Sequence, residues 1–248
     1  MRKFGFVLAV MFISAMPFAL AGCSWDFNNP SADEWNVQIV GDSVFDLSGD
    51  IHDVLELLSG KSYKDRSVSG AKIAAIDSQL SKAESRSSLK TVIADGGAND
   101  ILQGSMDCDS DPLTAGCLDV LDYISDTMWG MINDMYGGPS DDHVWMGYYH
   151  VKGDELEKNE AIDYTYDYIY PDMFDLSEYG GANVAGTVSG YGEYYGSTLG
   201  EFCICVADPR DYVFASDLKS DDIHPTYSGS EKLANLIWGV MTLQNMYR

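Results

Sequence analysis

Basic residues are scarce in this chain of 248 residues. Lys and Arg together number 15 against 39 Asp and Glu, which gives a formal net charge of −24 at pH 7. Such a surface repels nucleic acid and anionic lipid headgroups, so the sequence argues against both as binding partners. The acidic residues are spread along the chain rather than gathered in a tail. Charge therefore excludes polyanionic ligands and predicts no particular activity.

Common metal-binding and hydrolase motifs are also missing. No HExxH sequence occurs, and the cysteine spacings do not match a zinc site. No G-x-S-x-G occurs either, which argues against an ordinary α/β-hydrolase. We therefore predict neither a metal ion nor another cofactor.

The apolar stretch at residues 4–20 is short for a permanent transmembrane helix, and Pro17 interrupts it. With the basic MRK before it, the stretch predicts a secretory signal. The sequence LAGC that follows, at 20–23, resembles the lipobox of bacterial lipoproteins. This resemblance implies that Cys23 is lipidated and becomes the mature N-terminus. The alternative is ordinary signal cleavage beside an incidental cysteine.

Ser24, directly after the lipobox, resembles the outer-membrane sorting pattern of Gram-negative lipoproteins. We therefore expect an exported protein anchored in the outer membrane through the lipid on Cys23, on either its periplasmic or its surface face. The predicted organisation is a signal peptide at 1–22, a lipidated tether at 23–35 and one domain at 36–248.

Export implies an oxidising compartment for the four cysteines that remain, in which disulfides form. Four cysteines allow three pairings, and the sequence alone does not choose among them. Cys108–Cys117 is favoured because it would close a single loop. Cys203 and Cys205 alternate along a predicted strand, so a bond between them would be strained.

Strands alternate with helices along the predicted domain, and this pattern is typical of a parallel sheet covered by helices on both faces. The prediction is a three-layer α/β/α sandwich with a central, mainly five-stranded parallel sheet. The predicted strands are 36–44, 62–69, 89–97, 143–151 and 201–208. The predicted helices are 50–60, 72–85, 118–136 and a last one that opens on a capping box, Ser228-x-x-Glu231.

Polar residues collect where three of these strands end, at the edge where parallel sheets bind ligands. Read in order, four blocks resemble those of the SGNH, or GDSL-type, hydrolases. The blocks are GDSV at 41–44, SVSG at 67–70, GAND at 97–100 and DDIHP at 221–225. The resemblance covers most of the predicted domain and implies a flavodoxin-like fold and the hydrolysis of esters.

The resemblance implies a catalytic triad of Ser43, His224 and Asp221. A serine hydroxyl is a weak nucleophile that needs an adjacent base, and His224 would take its proton. Asp221, three residues earlier, would hold the imidazole in one tautomer. The same resemblance assigns the oxyanion hole to the backbone N–H groups of Ser43 and Gly70 and the side-chain amide of Asn99.

The sequence departs from the family pattern at three positions. Val44 stands where leucine is commoner, and Asp222 stands where glycine is usual, so it could compete with Asp221 for the imidazole. In the second block, Ser69 stands where an asparagine often precedes the glycine, here Gly70.

The resemblance leaves the substrate open between simple acyl esters, lipids and the O-acetyl groups of carbohydrates. A competing hypothesis from another class is a catalytically idle lipoprotein that binds glycan or envelope components. The segment 148–195 is rich in tyrosine and glycine. Its tyrosines would form either a stacking platform for a ligand or the core and rim of an irregular insertion.

Overall fold

A computed structural model describes residues 34–104 and 108–248. The strands are β1 (Val37–Val40), β2 (Lys64–Asp65), β3 (Thr91–Ala94), β4 (Asp142–Met146), β5 (Ala182–Val188), β6 (Gly192–Leu199) and β7 (Phe202–Asp208). The α-helices are α1 (Ser43–Asp46), α2 (Asp50–Ser59), α3 (Ile73–Glu84), α4 (Ala98–Leu102), α5 (Ala115–Gly137), α6 (Asn159–Tyr164), α7 (Tyr170–Met173) and α8 (Tyr227–Leu243). A π-helical turn at Thr165–Ile169 joins α6 to α7, and 3₁₀ helices lie at Gly153–Lys158, Ser177–Tyr179 and Ala215–Asp217.

All seven strands form one sheet in the order β2-β1-β3-β4-β7-β6-β5. The five strands from β2 to β7 in that order are parallel, and they are the five predicted from the sequence. The fold class is therefore confirmed. The sheet is larger than predicted, because β6 and β5 extend it beyond β7 as antiparallel strands.

Helices cover both faces of the sheet. β1, β3 and most of β4 are buried, as expected for strands covered on both sides. Ile39 of β1 packs into the core that includes α2 and α8, whereas the neighbouring Val40 packs into the core that includes α3 and α5. Successive side chains of a strand point to opposite faces, so each strand contributes to both cores. In the described part of the chain, no helix is long and apolar enough to span a bilayer.

The last helix begins two residues earlier than its predicted capping box implies. Its N-cap is Thr226, whose side chain accepts a hydrogen bond from the backbone N–H of Gly229. The prediction of a capping box at Ser228 and Glu231 is therefore wrong. A threonine in extended conformation directly after Pro225 can accept a hydrogen bond from a free backbone N–H of the first helical turn, as a serine would. Because Thr226 comes first along the chain, the helix begins there and Ser228 lies inside it.

The favoured disulfide, Cys108–Cys117, is present. Cys203 and Cys205 are buried thiols whose sulfur atoms lie 3.8 Å apart. The tyrosine-rich segment divides into two parts: the helices from α6 to α7, and the hairpin of β5 and β6. Tyr166 and Tyr170 are buried in the core, whereas Tyr168 and Tyr179 are exposed.

Candidate active site

The predicted site residues come from four places along the chain. Ser43 is the first residue of α1, three residues after the end of β1. Gly70 lies in the loop after β2, Asn99 lies in α4 after β3, and His224 lies in the loop before α8. Three of these positions follow the carboxyl ends of parallel strands, where open α/β sheets bind their ligands.

The turn that presents Ser43 requires glycine at its start. A Cβ atom on Gly41 would collide with the carboxylate of Asp95 and with the ring of Phe45. The backbone N–H of Gly41 donates to the side chain of Gln79 at 2.7 Å, and its carbonyl accepts from the same amide at 3.0 Å. The close packing holds the turn and so fixes the direction of the Ser43 hydroxyl.

The three predicted triad residues lie in a continuous chain of hydrogen bonds. Ser43 Oγ is 2.9 Å from His224 Nε2, although the two residues are 181 positions apart in the sequence. On the other side of the ring, His224 Nδ1 is 2.9 Å from Asp221 Oδ2. These distances are those that a nucleophile, a base and an orienting carboxylate require.

The local backbone holds Asp221 against the imidazole. Its Oδ1 atom accepts hydrogen bonds from the backbone N–H groups of Ile223 and His224, at 3.1 and 2.9 Å. Partial burial raises the pKa of Asp221, but the hydrogen bonds from the His224 backbone and ring and from Ile223 outweigh it. The pKa of this carboxyl is therefore below its usual value. The carboxylate stays ionised, as stabilisation of an imidazolium requires.

Asp222 does not compete for the imidazole. It lies 3.8 Å from Lys152 Nζ, and its backbone has a φ of 66°, a left-handed conformation that non-glycine residues seldom adopt. The conformation explains why glycine is usual at this position in the family that the sequence resembles. Asp221, three residues before His224, is therefore the acid that contacts the ring.

Two of the three predicted oxyanion donors are not engaged by other described residues. Among the described residues, no acceptor binds the backbone N–H of Ser43 or of Gly70. Gly70 has a φ of 77°, and a Cβ there would meet only the end of the Gln103 side chain, at 3.5 Å. Glycine at this position therefore satisfies a backbone requirement rather than a packing one.

The amide of Asn99 is already engaged. Its Nδ2 atom donates to Asp42 Oδ2 at 3.2 Å and to the carbonyl of Ala71 at 3.1 Å, and its Oδ1 accepts from Gln103 at 2.7 Å. These contacts hold the amide in one orientation beside the nucleophile turn. To contact a substrate oxygen, an Asn99 N–H must share its hydrogen with one of these acceptors.

A pair of buried carboxyl groups lies beneath the nucleophile. Asp42 and Asp95 are both at most 1% exposed, and the backbone N–H of Asp42 donates to Asp95 Oδ1 at 2.8 Å. Desolvation is the main cause that raises the pKa of both groups, and the charge of Asp42 raises that of Asp95 further. Within the described ranges, Asp95 Oδ2 has no hydrogen-bond partner. Asp95 is therefore the member of the pair that favours the neutral form.

Asp42 organises the polar groups behind Ser43. Its two oxygens accept hydrogen bonds from the backbone N–H of Val44, from Asn99 and from the hydroxyl of Tyr148 at 2.7 Å.

Sequence reasoning missed Tyr148 and Asp95 as parts of the site. The position of Asp95 at the end of a predicted strand was the one available signal, and it does not single out the residue.

No protein-family model matches the sequence, and no curated protein does so. Solved structures do resemble the chain. A GDSL-like lipase from Bacteroides thetaiotaomicron is 12% identical with a TM-score of 0.55, over 87% of this chain and 91% of that one. A protein assigned to the SGNH hydrolases from Slackia heliotrinireducens is 12% identical with a TM-score of 0.53, over 83% and 97%. A variant of an acetyl xylan esterase from Geobacillus stearothermophilus is 13% identical with a TM-score of 0.51, over 80% and 90%.

The chain is thus an α/β protein with polar groups gathered at the carboxyl edge of its sheet. More specifically, it has the fold of the SGNH hydrolases. The likeness concerns the fold. The roles of individual residues depend on the distances within this chain.

Proposed function

We propose that the chain is an SGNH-type serine ester hydrolase that acts through an acyl-serine intermediate. The observation that supports this most directly is the hydrogen-bonded chain from Asp221 through His224 to Ser43 at the ligand-binding edge of the sheet. A binding protein would have no need of a nucleophile, a base and an orienting acid in this order.

In the first half-reaction, Ser43 Oγ attacks the ester carbonyl while its proton passes to His224 Nε2. The developing oxyanion accepts hydrogen bonds from the free backbone N–H groups of Ser43 and Gly70, and from Asn99 if its amide shares a hydrogen. As the tetrahedral intermediate collapses, the carbon–oxygen bond to the alcohol breaks and His224 gives that alcohol its proton. The acyl group is then joined to Ser43.

In the second half-reaction, His224 takes a proton from water, and the hydroxide equivalent attacks the acyl carbonyl. The bond to Ser43 Oγ breaks, and His224 returns the proton to the serine. The products are a carboxylic acid and an alcohol, and the enzyme regains its starting protonation. Ionised Asp221 stabilises the imidazolium that exists twice in each cycle.

Turnover of a chromogenic butyryl ester by the domain at residues 36–248 tests this proposal. We expect hydrolysis, and stoichiometric labelling of Ser43 by a serine-directed phosphonate, identified by peptide mass spectrometry. A catalytically idle binding protein would show neither result. Absence of both turnover and labelling in folded protein would therefore favour the binding hypothesis.

We also propose, from the lipobox-like sequence, that the protein is exported and anchored to the outer membrane of a Gram-negative cell through Cys23. This residue lies outside the described part of the chain. Acyl chains on Cys23 would supply the membrane affinity. We therefore expect Cys23→Ser to move the protein from the membrane fraction to the soluble fraction of expressing cells. Sedimentation of this variant with membranes would refute the proposed anchor.

A further inference from the structure

An apolar cleft is lined by Ser43 and by its two neighbours, Asp42 and Val44. Its lining also includes Gly96 and Gly97, and α5 provides one wall through Leu121, Ile124 and Met128. The three residues are spaced by three and four positions, so they share one face of the helix. Residues of α6 and of the π-helical turn that follows it form a second wall.

The polar side chains that line this cleft are already used within the protein. Asp42 and Lys158 are charged, but the first accepts several internal hydrogen bonds and the second is paired with Asp109. The lining hydroxyl groups are bonded internally as well. These bonds join Tyr148 to Asp42, Tyr149 to the Ile223 carbonyl, Thr165 to the Ala161 carbonyl, Tyr166 to the Tyr148 carbonyl and Tyr170 to Trp145.

A cleft of this kind favours a hydrocarbon chain over a sugar. A sugar ring carries many hydroxyl groups, and each one that is buried without a partner costs free energy. A hydrocarbon chain needs no polar partner and gains from every methylene group that leaves water. The face of α5 from Leu121 to Met128 is about 10 Å long at the rise of 1.5 Å per residue, which matches the length of an extended chain of about eight carbons.

Two features keep the cleft in shape. Lys158, at the end of the 3₁₀ helix before α6, forms its ion pair with Asp109 in the loop closed by Cys108–Cys117. Farther along, Asp163 of α6 is 3.0 Å from Arg210, which follows β7. The wall formed by α6 is thus tied to the body of the protein at both ends of the helix.

Resting on the ester hydrolase function proposed above, we infer that this cleft binds the acyl chain of the substrate, and that the substrates are esters of medium-chain fatty acids rather than acetylated carbohydrates. The acyl carbonyl would then lie at Ser43 and the chain along α5. The alcohol side of the ester would remain toward the open edge of the sheet.

The chain-length dependence of turnover tests this inference. From acetyl to octanoyl esters of one chromogenic alcohol, we expect kcat/KM of the wild type to rise on the order of 100-fold. Each fully buried methylene contributes up to roughly fourfold, so full burial of all the added methylenes would give a larger rise. The expected 100-fold rise therefore allows for incomplete burial. A flat series, or faster release of acetate from acetylated xylan than of octanoate from its ester, would overturn the inference.

A matched pair of substitutions locates the effect. Ala161→Leu adds a branched side chain to the wall of the cleft, and we expect it to lower the ratio of octanoyl to acetyl kcat/KM by about tenfold. Ala75→Leu makes the same change on the exposed face of α3 and should leave the ratio unchanged. An equal ratio in both variants would show that the chain binds elsewhere.

Binding of the product acid separates this inference from the hydrolase proposal. Sodium octanoate should raise the melting temperature of the wild type, because a ligand that binds the folded state stabilises it, whereas sodium acetate at the same concentration should not. Ala161→Leu should reduce the shift and Ala75→Leu should not. If no ester is hydrolysed but this pattern holds, the hydrolase proposal fails and the acyl site stands. If esters are hydrolysed without this pattern, only the acyl site fails.

Discussion

Replacement of Ser43 by alanine is expected to reduce kcat on esters by a factor on the order of 10⁴ or more, because the members of a triad act as a unit. The hydrogen bond of its hydroxyl to His224 is lost, but the backbone N–H stays in place for the oxyanion. The substitution removes one partly exposed atom, so the fold should persist. Steady-state kinetics on a butyryl ester, with circular dichroism and a melting curve, measures both effects.

Ser78→Ala is the matched control. Ser78 is exposed on α3, and its hydroxyl donates to the carbonyl of Ala74 in the same helix. This variant should retain wild-type turnover and phosphonate labelling, whereas Ser43→Ala should lose both. Wild-type turnover in a Ser43→Ala preparation free of contaminating esterase would refute the acyl-serine mechanism.

Replacement of Asp221 by asparagine is expected to lower kcat by a factor that could approach ~10⁴, the magnitude known for the equivalent change in serine proteases. An asparagine amide in place of Oδ2 would donate to the ring and so favour the wrong tautomer of His224. Asp222→Asn should change kcat little, since the Asp222 carboxylate lies beside Lys152 rather than the imidazole. The two variants differ by one position in the same loop, which makes each the control for the other.

The two variants should be compared through kcat as a function of pH on one soluble ester, with circular dichroism to verify the fold. Hydrogen bonds hold the pKa of Asp221 below its usual value, so its ionised form should persist across the assayed range above that value. A severe loss in Asp222→Asn with normal turnover in Asp221→Asn would show that the acid is wrongly assigned. Wild-type rates in both would indicate a Ser–His dyad.

The parallel part of the fold could be predicted from the sequence because the patterns that indicate it are local. β1, β3 and β7 are short, mostly apolar runs, and Ser43 and Asn99 lie within five residues after the first two. Asp221 and His224 are three residues apart, so their contact requires only a compact loop. The meeting of Ser43 with His224 is long-range, yet it follows from the rule that parallel strands present their carboxyl ends at one edge.

Other features depend on contacts that no local pattern encodes. β5 is largely exposed and contains no apolar run, so no hydrophobic pattern marks it in the sequence. Backbone hydrogen bonds to β6 hold it in the sheet. The engagement of Asn99 depends on Asp42 and Ala71, which are 57 and 28 positions away. The cleft depends on where α6 packs. Tertiary packing determines each of these three features, and neither residue propensity nor hydrophobic periodicity predicts such packing.

The buried pair of Asp42 and Asp95 makes folding a proton-uptake reaction. In the unfolded chain, Asp95 would ionise near the ordinary value of 3.8, whereas burial and the neighbouring carboxylate raise its pKa well above that in the folded protein. Between these two values the native state binds the additional proton, so the free energy of unfolding falls as pH rises through this window. Asp221 acts in the opposite direction, because its contribution is lost only as pH falls through its depressed folded-state pKa. Mild acid therefore keeps Asp95 of the buried carboxyl pair protonated and so stabilises the folded state, while Asp221 beside the imidazole stays ionised.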